Sequence, residues 1–327
     1  MMETQLTEII PDRDGARRAA SLCAFAAVAV IVIANALMIL YLYLTRDLVL
    51  KEQIGTDLQL IVNTVIMDLA AMPAAWLLFV RRIPKNPVLE SDGAERTPLR
   101  VPTLLFFFPC VYAVAVAGSL PGRIIGLLGG DLSDPAAAAV LAVDPWVTIL
   151  CTIILAPIAE ELFFRKALID RLCAYHPMDA ILYSALLFGL VHGNLTQFLY
   201  AFPIGVLLGI VYWRTKNIRY TILLHMGMNT LGGLLPQLVQ RLTTAGETNE
   251  VAAMLGALAT MLLGSLTIGL VVVGVIFLIR SRRRFLPISP ELPRFRRPFY
   301  LNVGWIVACI VFTGLFVLTE IISPTSF

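Results

Sequence analysis

In the stretch PIAEELFFRKALIDR, which begins at Pro157, Glu160, Glu161 and Arg165 follow PWVTILCTIILA, a run with no charged residue. An ionised side chain at bilayer depth costs at least ~2.5 kcal/mol, so charges placed there need a chemical or structural reason. Few other polar residues interrupt the apolar runs: Asn63 and Asp68, then His192 with Phe188 four residues before it, then His225 and Asn229. Two of the chain's three histidines fall in this group, and only His176 sits in a predicted loop. On a helix, Glu161 and Arg165 are four apart with the acid N-terminal, the favourable order for an ion pair. Glu160, rotated ~100° from its neighbour, cannot share that arginine equally. It is left as the less compensated carboxylate, suited to act as a general base. His225 and Asn229, also four apart, present an imidazole and a carboxamide on one face, where their donors suit a developing oxyanion. Asp68 has two readings, a buried partner for a nearby donor or a member of the site.

The elements that must position these residues are membrane helices. The chain is 58% hydrophobic with a mean hydropathy of +0.83. Its 14% of charged residues compares with roughly 25% in soluble domains. Apolar runs lie near 19–44, 58–80, 101–120, 145–164, 179–193, 197–213, 220–239, 251–279 and 302–322, most of them close to or beyond the ~20 residues that span a bilayer. The run at 179–193 is short and is joined to 197–213 only by GNLT. The first run is far longer than the ~7–15 residue core of a signal peptide and reads as a retained span. The predicted fold class is therefore all-α, a polytopic transmembrane helix bundle of about nine spans. Residues 1–144 form an N-terminal membrane region of three helices, 145–240 a core of four, and 241–327 a C-terminal region of two with an Arg-rich loop.

Lysine and arginine alternate in the segments between these runs, 21 on the side of the N-terminus against 4 on the other. By the positive-inside rule this puts the N-terminus in the cytoplasm. The loop RSRRRFLPISPELPRFRRPFY reads as a topogenic segment drawn to anionic headgroups, at about 1 kcal/mol per basic residue, and no nucleic-acid partner is expected. Cys23, Cys110, Cys151, Cys173 and Cys309 show no metal or CxxC spacing and read as small core residues.

EELFFR (Glu160 to Arg165), FGLVH (Phe188 to His192) and HMGMN (His225 to Asn229), in this order on successive helices, resemble the EExxxR, FxxxH and HxxxN motifs of the CPBP family. That family comprises intramembrane proteases including the type II CAAX prenyl endopeptidases and the Abi-like immunity proteins. The resemblance covers residues 145–240. It implies a glutamate-dependent endopeptidase in which Glu160 activates water, His192 helps to hold it, and His225 and Asn229 stabilise the oxyanion. Glu161 and Arg165 take the supporting positions, as the ion pair argued above. No metal is favoured. If zinc were used, Glu160, His192 and His225 would be its ligands, although the HExxH spacing of common zinc proteases is absent.

The implied partner is a membrane-associated protein or peptide, within the lipid bilayer of a bacterial plasma membrane; a prenylated substrate is not expected of bacterial members. Two rival readings remain. A proton- or ion-coupled transporter could use Asp68, Glu160, His192 and His225 as a relay, but an inverted repeat is missing. A catalytically silent immunity or scaffold member would not need Glu160, His192, His225 and Asn229 intact.

Overall fold

The computed structural model describes residues 12–50, 54–84, 97–128, 134–282 and 296–322. Most of the Arg-rich loop and of the linker between the second and third runs lies outside these residues. Each of the nine apolar runs corresponds to a helix, and the described residues form no strand. Seven helices are long and apolar enough to cross a membrane: α1 (Arg13–Leu44), α2 (Thr56–Arg82), α3 (Val101–Ile125), α4 (Pro145–Leu172), α6 (Leu195–Thr215), α7 (Ile218–Ala245) and α8 (Glu250–Arg280). The other two, α5 (Pro177–Val191) and α9 (Val303–Thr319), are shorter. The protein is an all-α polytopic membrane protein. One boundary differs from the sequence reading: the fourth apolar run ends near residue 164, whereas α4 continues to Leu172, so Arg171 also lies on this helix and is buried.

Small residues set the packing. The buried face of α1 is an alanine stripe, Ala16, Ala19, Ala20, Cys23, Ala24 and Ala27, against which α9 lies. A Cβ on Gly304 would come within 2.3 Å of the Ser21 carbonyl oxygen. Between α3 and α8 a Cβ on Gly274 would sit 2.0 Å from the Pro109 oxygen. Close approach of this kind replaces, between membrane helices, the hydrophobic drive that lipid removes. The termini are capped as their sequences allow. Asn194 accepts from the Gln197 N–H at 2.8 Å to start α6, Asn249 accepts from Val251 and Ala252 to start α8, and Asp12 caps α1 through the Gly15 N–H. Such caps satisfy otherwise orphaned donors.

The helices that carry the polar residues are not regular. π-Helical segments occur at Val65–Ala71 in α2, Thr148–Leu155 and Glu161–Ile169 in α4, and Thr230–Leu234 in α7. Three of the four are followed, two residues after their end, by a proline: Pro73, Pro157 and Pro236. The residue before each proline closes a last i→i+5 bond, Met72 to Met67, Ala156 to Cys151 and Leu235 to Thr230. Proline has no N–H and its ring clashes with the carbonyl four residues back, so widening the helix ahead of it relieves the clash. It also leaves the next carbonyl in that register, at Asp68, Thr152 and Leu231, without a donor. π Segments inside α-helices are frequent at functional sites. Here they occupy the three helices that gather around the glutamates.

Candidate active site

The two adjacent glutamates occupy different surroundings. Glu161 Oε2 lies 3.1 Å from Arg165 Nε, both side chains fully buried, and Glu161 Oε1 lies 3.0 Å from His225 Nδ1. A carboxylate held by a guanidinium is ionised and can only accept, so His225 Nδ1 carries a proton and donates it to Glu161. That fixes the ring. Its Nε2 then points toward Glu160, with Glu160 Oε2 3.6 Å away, too far for a direct hydrogen bond. Glu160 also keeps 17% of its side chain exposed where Glu161 keeps none. The sequence-predicted division, one glutamate paired and one uncompensated, is present.

Arg165 is held from a second side. Its Cζ stands 4.3 Å from the centroid of the Phe188 ring, a cation over an aromatic face in a desolvated place. Phe188 also meets the rings of His192 and His225 edge-on, at centroid separations of 5.0 and 5.8 Å. It therefore touches the cation and both imidazoles, a larger part than the packing role its position in a sequence suggests.

His192 follows the last residue of α5. Its Nδ1 is 2.8 Å from the Phe188 carbonyl oxygen, which can only accept, so this nitrogen carries the proton and Nε2 is left as an acceptor. The turn after it is built to end the helix. Gly193 takes φ +71°, a left-handed conformation that glycine adopts without strain. Asn194 Nδ2 donates to the His192 carbonyl at 3.2 Å, and Thr319 Oγ1, from α9, shares its one proton between the Gly193 carbonyl at 3.0 Å and the Leu315 carbonyl of its own helix at 2.9 Å.

Asn229, one turn beyond His225 on α7, reaches across to α4 and donates from Nδ2 to the Thr152 carbonyl at 2.7 Å. Asp68 is buried in the π segment of α2, which packs against the stretch of α4 that ends at Glu160. The structure thus brings Asp68 to the edge of the site. His176, the remaining histidine, is buried as the cap of α5, accepting from the Asp179 N–H at 3.3 Å, and is remote from this chemistry in sequence and role. The five cysteines are free, four of them buried, as small core residues should be.

Glu160, His192 and His225 are of the types that bind zinc, and both imidazoles have Nδ1 held and Nε2 unclaimed, as metal-binding histidines do. Among the described residues, however, no three His, Cys, Asp or Glu side chains converge closely enough to hold one ion. The residues as placed do not fit a metal centre. The features that sequence reasoning missed are the Thr152 carbonyl and Thr319. The first had a visible signal in Pro157, a proline within a span. The second had none, since it lies far from every motif.

A family model described as Rce1-like, type II CAAX prenyl endopeptidase, matches residues 142–231. A Bacillus subtilis (strain 168) protein named "Putative membrane peptidase YdiL" is 30% identical over 158 residues, 47% of this chain. The chain spans 63% of that relative's length. No solved structure matches the chain.

Proposed function

We propose that this chain is an intramembrane endopeptidase that hydrolyses a peptide bond in or next to the bilayer, with Glu160 as its general base; the match of residues 142–231 to the Rce1-like, type II CAAX prenyl endopeptidase model supports this reading. The observation that carries this reading is the division between the glutamates: Glu161 is consumed by Arg165 and His225, while among the described residues the nearest cationic partner of Glu160 is the Nε2 edge of His225, 3.6 Å away. A water bound between Glu160 and His192 meets two acceptors, the carboxylate and Nε2. Both its protons are then engaged and a lone pair is free to attack a carbonyl. Glu160 takes the proton as the bond forms.

The tetrahedral oxyanion is met by His225 and Asn229. With Nδ1–H given to Glu161, the Nε2 edge of the His225 ring is the part of it that faces the intermediate, and the Glu161 carboxylate is the counter-charge for any positive charge on that ring. The Asn229 carboxamide supplies a further N–H beyond the one given to Thr152. The proton held by Glu160 passes to the leaving amine. The substrate is a membrane-associated protein or peptide, and the alternation of basic residues supports an N-terminus in the cytoplasm.

The test compares membrane-proteome termini in a deletion strain carrying either wild type or Glu160→Gln. New termini seen only with wild type are expected; none, together with wild-type-dependent proton flux in proteoliposomes, would replace the protease by a transporter. Cleavage is expected to persist in excess chelator. One equivalent of zinc lost in both His192→Ala and His225→Ala would bring the metal back.

A further inference from the structure

We propose that Pro157 is a positioning residue for Asn229: by withholding an N–H from the Thr152 carbonyl, it leaves that oxygen free to anchor the carboxamide. The proposal deepens the endopeptidase reading and rests on it for its catalytic consequence. In the π segment of α4 the Cys151 carbonyl accepts from the Ala156 N–H, five residues on. The same register would pair Thr152 with residue 157, and residue 157 is proline. A carbonyl orphaned in this way inside a membrane helix is tolerated where a neighbouring side chain satisfies it. The neighbour here is Asn229 Nδ2, at 2.7 Å.

The carboxamide is planar, so tying one of its N–H groups to a fixed oxygen sets the direction of the other. Asn229 is the last residue of the regular part of α7 before its own π segment, so its side chain would otherwise sit where the helix changes pitch. The anchor on α4 ties that side chain to the helix that carries Glu160. Two motif residues 69 positions apart in sequence, Glu160 and Asn229, are thereby registered through one backbone oxygen.

Pro157→Ala restores an N–H at residue 157, which can bond to Thr152 in place of Asn229, and alanine is the best helix former, so the variant should fold. The decisive experiment is a double-mutant cycle on the full chain in detergent, using a quenched fluorescent peptide that carries a cleavage segment mapped by the termini comparison. Pro157→Ala should lower kcat by roughly five- to tenfold, the worth of about one net hydrogen bond, with KM little changed. In an Asn229→Ala background it should have no further effect. Equal losses in both backgrounds would make Pro157 merely structural and overturn the proposal.

A second cycle, read by thermal unfolding, needs no activity. Asn229→Ala should lower Tm more in the wild-type background than in the Pro157→Ala background, where Thr152 already has a donor; equal shifts would overturn the anchor. Should wild type cleave nothing, the endopeptidase reading fails, while the melting cycle still decides the anchor.

Discussion

Helices α4 and α8 are alike in length, 28 and 31 residues, and both are apolar enough to cross a bilayer, yet they serve the molecule in different ways. α8 is an unbroken α-helix with only 6% of its most apolar stretch buried. Its polar residues mostly satisfy themselves: Thr260 and Ser265 each donate back to a carbonyl four residues earlier, at 2.8 Å, a bond that asks nothing of a neighbour. α4 has 39% of the same measure buried and two π segments. Its polar groups are satisfied from outside: Glu161 by His225, the Thr152 carbonyl by Asn229, and the Phe164 carbonyl by Ser184 at 2.6 Å. A span that closes its own hydrogen bonds is a wall. One that leaves them open must be completed by its neighbours, and that dependence brings three helices to one place.

The largest effects should fall in α4. Glu160→Gln keeps the size of the side chain and removes the base, so cleavage should drop by about 10²–10⁴ with the yield of folded protein unchanged, measured by peptidase assay beside size-exclusion chromatography. Glu161→Gln and Arg165→Ala each strand a buried charge, which costs about 3–5 kcal/mol. Both should lower Tm and folded yield, and a fully folded, inactive Arg165→Ala would show that Arg165 acts on substrate instead.

Substitutions in α8 sharpen the contrast at smaller scale. Gly274→Ala drives a Cβ to 2.0 Å from the Pro109 oxygen and should destabilise the α3–α8 contact by about 1–3 kcal/mol through overpacking, read as a Tm shift. Gly264→Ala meets nothing within 4 Å. It should be neutral or stabilise by up to about 0.5–1 kcal/mol, and a marked loss there would mean that α8 is not merely a wall.

Much of this was legible in the residues themselves. Hydropathy located the nine long apolar helices among the described residues, because a bilayer demands long apolar runs whatever they pack against. The i,i+4 rule located the Glu161–Arg165 pair and, by elimination, the less compensated Glu160, because a helix fixes which side chains can meet within it. What pattern could not reach was contact between helices. Nothing in the spacing of Glu161 and His225 says that they touch, nor that Phe188 would lie under Arg165. The end of α4 was misjudged for a related reason: hydropathy falls at the first charges, and Arg171, buried beyond that point, is received by the Ala167 carbonyl of its own helix and the Ile83 carbonyl from outside it. The π segments fall between these cases. Three are flagged by a proline in an apolar run, whereas Glu161–Ile169 has no proline after it and its register follows from no local signal.

Thr319 clamps the turn after His192 from the far end of the chain, 126 residues beyond Gly193. In a protein synthesised from its N-terminus and handed to the bilayer span by span, Glu160, His192, His225 and Asn229 have all left the ribosome before this clamp exists. The same helix packs against α1, so the brace on His192 joins the earliest and latest of the described spans. A chain halted before α9 would hold all four of these side chains without the contact that fixes the turn after His192.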